Sequence, residues 1–158
     1  DDLTLPPGRF EEQTLGDGIR VIFDGYNASP VSFEKAIDSF CSLQQTGARM
    51  LIFSDMLELG PEAAKYHEAL GEKIAASALH YVAAYGELSR LAVEAARRAN
   101  PRLIIEHFKN AEEAGAAVAA RVKPGDGVLL KASRGMKIEE ALAYLRERLV
   151  PCQRSAAG

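Results

Sequence analysis

The chain has 158 residues, 47% of them apolar and 26% charged, with a net charge of −3. That is the balance of a single globular domain able to bury roughly two-thirds of the surface its unfolded form exposes. The acidic balance and the lack of a dense Lys/Arg block argue against a nucleic-acid partner, and no apolar run approaches the ~20 residues of a membrane span.

Taken in order, residues 1–8, with Pro6-Pro7-Gly8, read as a linker or hinge tail, residues 9–150 as the domain and residues 151–158 as a frayed end. The first residue is not Met and no basic segment precedes an apolar one, which points to a fragment without a secretory signal. Residues 10–15 form a short strand, joined through Gly16-Asp17-Gly18 to a second at 20–23, a hairpin signal that adds one antiparallel edge strand.

Further apolar runs of strand length fall at 50–53, 81–84, 103–106 and 128–131. Between them, helical spacing marks five stripes. Val31, Phe33, Ile37, Phe40 and Cys41 form the first, and His67, Leu70, Ile74 and Ala78 the second. Leu88, Leu91, Ala92, Ala95 and Ala99 form the third, and Ala111, Ala114, Val118 and Val122 the fourth. Ile138, Ala141, Leu142, Leu145 and Leu149 form the fifth.

Ser29-Pro30 reads as an N-cap with Pro at the first helical position, and Asn110 with Glu113 resembles a capping box. The alternation predicts an α/β fold: a Rossmann-like three-layer sandwich with a mostly parallel sheet of about six strands and helices on both faces. Cys41 and Cys152 are too far apart for metal-like spacing; Cys41 is expected to be a buried thiol and Cys152 to lie in the tail, consistent with a reducing cytoplasmic setting.

In such a sheet the carboxyl ends of the parallel strands share an edge, which is where ligands bind. Three polar loops fall there. The first carries Asp24, Tyr26 and Asn27: a hydroxyl acceptor, a flat apolar face and an amide that both donates and accepts, which together suit a nucleoside. Turn chemistry alone is the competing explanation for the Asp and the Asn, but it does not require the Tyr.

The second loop carries Ser54, Asp55, Met56, Glu58 and Gly60. Asp55, Glu58 and His67 read as supporting site residues, the competing readings being surface acids beside a helix start for the two acids and a satisfied buried imidazole for His67. The third loop carries Lys131, Ser133, Arg134, Gly135 and Lys137. There Ser133-Arg134-Gly135 is expected to open the last helix, whose free N–H groups and dipole would favour a carboxylate or phosphate. A solvated basic turn is the alternative. His80 and His107 receive no role. No phosphate-binding Gly-Lys-Ser/Thr loop, no nucleophile–base set and no zinc-like cluster is present in the sequence, so catalytic groups are not expected from this chain.

Four motifs in order resemble the C-terminal domain of the Mur ligases. Pro7-Gly8-Arg9-Phe10-Glu11 is similar to the hinge that follows the family's central ATPase domain. Asp24-Gly25-Tyr26-Asn27-Ala28-Ser29-Pro30 resembles an Asp-x-Tyr-Asn-Ala-Asn-Pro signature, and Ser54-Asp55-Met56-Leu57-Glu58-Leu59-Gly60 with His67 resembles Gly-Asp-Met-x-Glu-Leu-Gly…His. Lys131-Ala132-Ser133-Arg134-Gly135-Met136-Lys137 resembles Lys-Gly-Ser-Arg-x-Met-x. Ser29, Ser54 and Ala132 depart from these patterns; Ser29 keeps a capping side chain, whereas Ala132 restricts the backbone beside the anion loop.

The resemblance implies a domain of an ATP- and Mg2+-dependent ligase that adds D-alanyl-D-alanine to UDP-N-acetylmuramoyl-tripeptide in peptidoglycan precursor synthesis. The central and N-terminal domains of the same polypeptide would hold ATP and magnesium. It further implies that Arg9, Asp24, Tyr26 and Asn27 face the nucleotide and that Lys131, Ser133 and Arg134 hold the dipeptide carboxylate. A stand-alone nucleotide- or anion-binding regulatory module on the same fold is the alternative. Other Mur enzymes and folylpolyglutamate synthases carry a His in the first loop, which the Tyr26-Asn27 pair argues against.

Overall fold

The computed structural model describes residues 8–149. The expectations for residues 1–7, for the tail at 151–158 and for Cys152 lie outside the described residues. Strand β1 (Glu11–Leu15) turns back onto β2 (Ile19–Asp24) with Leu15 opposite Ile19, so Gly16-Asp17-Gly18 forms the predicted hairpin loop. Gly16 and Gly18 have φ of 55° and 97°, a region glycine enters without steric cost.

The chain continues through α1 (Pro30–Ser42), β3 (Arg49–Phe53), α2 (Ala63–Ala75), β4 (Tyr81–Tyr85), α3 (Ser89–Ala99), β5 (Ile104–Phe108), α4 (Ala111–Ala119), β6 (Gly127–Lys131) and α5 (Glu139–Leu149). The six strands form one sheet in the order β1-β2-β6-β3-β4-β5, antiparallel only between β1 and β2. This is the predicted fold class.

Both faces of the sheet are packed. On one, Phe33, Ile37 and Phe40 of α1, Leu70 and Ile74 of α2 and Ala92, Val93 and Ala96 of α3 bury against Ile22, Leu51, Phe53, Val82 and Leu129. On the other, Ala114 and Val118 of α4 and Ala141, Leu142 and Leu145 of α5 bury against Val21, Met50, Ile52, Tyr81, Val128 and Leu130. Successive residues of β3, β4 and β6 therefore serve opposite layers, which is why those strands are apolar throughout.

Helix α1 starts as its sequence dictates. The Ser29 hydroxyl accepts from the Ser32 amide at 3.1 Å, the Ser32 hydroxyl accepts from the Ser29 amide at 2.8 Å, and Pro30 occupies the first turn. At α4 the Asn110 side chain accepts from the Glu113 amide, but the Glu113 carboxylate returns to the Lys109 amide, one residue before a reciprocal box.

Four expected core positions are corrected. Val31 is 60% exposed because the buried face of α1 runs through Phe33, Ala36, Ile37 and Phe40. Ala78 lies beyond the end of α2, and Ala99 is exposed because α3 turns Val93 and Ala96 inward instead. Cys41 is only half-buried, at the edge of the α1 contact, and that burial pushes its thiol pKa up. The expected strand at 103–106 is instead Ile104–Phe108, set by pairing Tyr81 with Ile104 and Tyr85 with Phe108. As the outer strand it exposes Ile104 and Glu106, so its apolar run is short.

The position of β6 is what matters for function. It pairs with β2 on one side and β3 on the other, with Asp24 opposite Lys131 and Lys131 opposite Phe53 on the last rung. The three polar loops therefore leave adjacent strands at one edge.

Candidate functional site

Asp24 and Lys131 close that rung with a side-chain ion pair of 3.1 Å, and the Lys131 ammonium also donates to the Asn27 carbonyl at 2.8 Å. Lys131 is 1% exposed, lies 5.5 Å from the centre of the Phe33 ring and ends a strand buried on both faces. Burial pushes its pKa down, Asp24 opposes that shift, and the positive charge of Arg9 adds to it. The resemblance implies that this lysine holds the dipeptide carboxylate; here its ammonium is engaged by Asp24 and the Asn27 carbonyl while it also lines the larger of the two cavities at this edge.

The first loop continues outward. Gly25 is enclosed, since a Cβ there would meet the Phe23 ring at 2.7 Å and Ile138 at 2.9 Å. Tyr26 and Asn27 are exposed, and the Tyr26 amide donates to the Gly8 carbonyl at 3.0 Å. That bond ties the hinge-like segment to the rim. Arg9 then lies over the Tyr26 ring at 4.6 Å, and Arg134 of the third loop lies over the same ring at 4.7 Å. Asp24 and Arg134 thus belong to one edge, joined through Tyr26.

The second loop is held from below. Asp55 is buried, not a surface acid: its carboxylate accepts from the Leu88 amide at 3.1 Å, the Ser89 amide at 2.8 Å and the Ser89 hydroxyl at 2.7 Å. It caps α3 from outside that helix. His67 is fully buried and satisfied as expected; its Nε2 accepts from the Met56 amide at 3.0 Å, so Nδ1 carries the proton toward the Ala63 carbonyl at 2.7 Å. Ser54 donates to the Tyr85 carbonyl at 2.5 Å. Glu58 is exposed, with φ of 61°.

The third loop departs from expectation. Ser133-Arg134-Gly135 does not open α5. Arg134–Met136 is an isolated 3-10 turn ended by Lys137 at φ 59°, and α5 begins at Glu139 with two acids in its first turn. The helix terminus therefore supplies no anion site at this loop, and the positive charge there comes from side chains. Ser133 is also turned inward, its hydroxyl accepting from the Leu57 amide at 2.9 Å, which locks the second and third loops together. His80 and His107 have backbone partners in the Arg49 amide and the Gly86 carbonyl, respectively.

Two cavities open along this edge. One, of about 500 Å3, is lined by Arg9, Phe10, Asp24, Asn27, Ser32, Lys35, Ala36, Ser39 and Lys131. Its three cations face a single carboxylate, a surplus suited to a phosphate chain. The other, of about 360 Å3, is lined by Tyr26, Asn27, Leu57, Glu58, Ser133, Arg134 and Gly135. It offers one cation, one carboxylate and the half-exposed Leu57, a lining suited to a small zwitterion.

Sequence reasoning missed Ser32, Lys35 and Ser39. Their spacing with Ala36 (i, i+3, i+4, i+7) is the signal that would have placed them on the cavity face of α1. Among the described residues, the non-glycine residues with left-handed φ are Phe10, Glu58 and Lys137, on the segments that form this rim. Among the described residues, no group of three or more His, Cys, Asp or Glu side chains is placed to hold a metal ion, and no helix is long and apolar enough to cross a membrane.

Comparison with known proteins converges on one family. Residues 8–134 match the family model described as Mur ligase, glutamate ligase domain. The UDP-N-acetylmuramoyl-tripeptide–D-alanyl-D-alanine ligase of Bacillus subtilis (strain 168) is 36% identical over 139 residues, 88% of this chain and 30% of that protein. The enzyme of the same name from Escherichia coli (strain K12) is 28% identical over 152 residues, 92% of this chain and 31% of that protein. The crystal structure of the MurF ligase from Thermotoga maritima in complex with ADP superposes with a TM-score of 0.77 at 30% identity, covering 93% of this chain and 32% of that one. The chain spans about a third of the length of the curated relatives it matches.

Proposed function

The chain belongs to the Mur ligase glutamate ligase domain family, and from that membership we propose that it is the C-terminal domain of an ATP-dependent amide ligase joining D-alanyl-D-alanine to UDP-N-acetylmuramoyl-tripeptide in the cytoplasm. Central and N-terminal domains of the same polypeptide would complete it and hold most of the ATP and the Mg2+; among the described residues of this chain no group of three or more His, Cys, Asp or Glu side chains is placed to hold the metal.

The observation that carries the proposal is the joined rim, where the Asp24–Lys131 rung and the Arg9–Tyr26–Arg134 stack face two adjoining cavities of different character. On this reading Asp24 accepts from ribose hydroxyls, Tyr26 and Asn27 meet the adenine, and Arg9 and Lys35 face the phosphates. Arg134 takes the dipeptide carboxylate directly. Lys131 and Ser133 support it from beneath, through the Asn27 carbonyl and the Leu57 amide. Asp55 and His67 hold the second loop in place, while Glu58 faces the smaller cavity.

In the reaction, transfer of the ATP γ-phosphoryl group to the tripeptide carboxylate gives an acyl phosphate and ADP. The dipeptide amine attacks that carbonyl, loses its proton, and the tetrahedral intermediate expels inorganic phosphate to leave the amide. This chain contributes positioning and charge neutralisation, with no nucleophile or general base of its own.

A chimera provides the test. This chain replaces the corresponding C-terminal third of the Bacillus subtilis relative, and phosphate release is measured. The expected result is release that requires ATP, the UDP-linked tripeptide and D-alanyl-D-alanine together, falling about tenfold or more in Arg134→Ala, a loss near 1.4 kcal/mol. A folded but inactive chimera, alongside ADP binding by the chain alone, would favour the stand-alone module.

A further inference from the structure

Resting on the nucleotide reading above, we propose that Arg9 is a place-holder for the purine: it occupies Tyr26 until a base displaces it, so that nucleotide entry releases the hinge segment. The geometry is specific. Tyr26 and Arg134 line the smaller cavity, Arg9 lines the larger, and Asn27 lines both. Both guanidinia lie over its ring, at 4.6 and 4.7 Å, so a flat base reaches that ring only by displacing one of them.

Arg9 is the one positioned to leave. It is exposed and sits between Gly8 at φ 86° and Phe10 at φ 45°, a corner held in a costly conformation. It already lines the larger cavity, where its charge lowers the pKa of Lys131. Arg134 is braced differently. It follows Ser133, which is locked to Leu57, and precedes Lys137, whose amide returns to the Arg134 carbonyl at 3.4 Å.

Displacement has two consequences. The freed guanidinium enters the cavity where phosphates would lie, turning a stacking contact into a charge-assisted one. The Gly8–Tyr26 backbone bond then becomes the remaining tie described between the hinge segment and the first loop, so the direction in which the chain leaves the domain responds to nucleotide.

The experiment uses adenosine, which carries the base without phosphates, titrated into the full 158-residue chain and its Arg9→Ala variant while the Tyr26 ring signals are followed by NMR. Removing the competitor is expected to tighten adenosine about two- to fivefold, the size of an exposed cation–π contact, and to shift the ligand-free Tyr26 signals toward those of an uncapped ring. ADP should gain less than adenosine or lose affinity, because it also loses the phosphate contact. Equal or weaker adenosine binding by Arg9→Ala overturns the place-holder role and leaves the nucleotide reading standing. Binding of adenosine to neither chain overturns this inference, and the ATP requirement of the chimera then decides the nucleotide reading separately.

Discussion

Lys131→Met is expected to cost about 3 kcal/mol of stability, because it strands the Asp24 carboxylate under the rim without its partner and frees the Asn27 carbonyl. The side chains are 1% and 12% exposed, so water repays little of the loss at Lys131 and only part at Asp24. For a chain of this length such a change lowers Tm by roughly 6–12 °C. A second substitution separates the cause: Lys131→Met combined with Asp24→Asn removes the orphaned charge and should recover part of the loss. Urea or thermal unfolding of the parent and the two variants measures this. A Lys131→Met chain as stable as the parent would show that the rung carries no structural weight.

Asp55→Ala is expected to be nearly as damaging, at about 3 kcal/mol. The carboxylate satisfies two amides at the start of α3 and the fully buried Ser89 hydroxyl. Loss of a cap alone costs about 1 kcal/mol, and stranded buried donors add about 1–3. Asp55→Asn keeps one acceptor oxygen for Ser89 while presenting an amide toward the Leu88 N–H, so it should lose roughly half as much. Equal losses for Ala and Asn would contradict the assignment of separate oxygens to separate donors. Because Asp55 sits next to Met56, whose amide is held by His67, the same variant should also loosen the second loop.

The contrast between these two residues shows what can be read from letters. The layer order, the antiparallel hairpin and the adjacency of the loops follow from strand-length apolar runs, Gly16-Asp17-Gly18 and the Ser29-Pro30 cap, because local chemistry determines each of them. That Asp24, Tyr26, Asn27 and Arg134 meet was legible because parallel strands put their carboxyl ends on one edge. The inward roles of Lys131, Ser133 and Asp55 were not legible. A polar residue just past a strand looks the same whether it faces solvent or closes a rung beneath a loop, and the outcome depends on hydrogen-bond partners 33 to 104 residues away.

The false start of α5 has a similar cause. Lys137 in the left-handed region separates the Arg134 turn from the helix, and lysine gives no sign of that in sequence as glycine would. The cost of that conformation, shared with Phe10 and Glu58, is confined to the rim, where a binding surface tolerates strain that the core would not.

Together these features make the rim a rigid rung with a stacked arginine–tyrosine layer above it. The chemistry proposed for it is recognition of nucleotide and dipeptide. Backbone amide NMR of the chain titrated with ADP tests that most directly. The account predicts perturbations gathered at Gly8–Phe10 and in the loops that follow β2, β3 and β6, with the opposite edge around Ala48, His80, Arg121 and Lys123 unmoved. Perturbations centred on that opposite edge, with Asp24, Tyr26 and Arg134 silent, would contradict it.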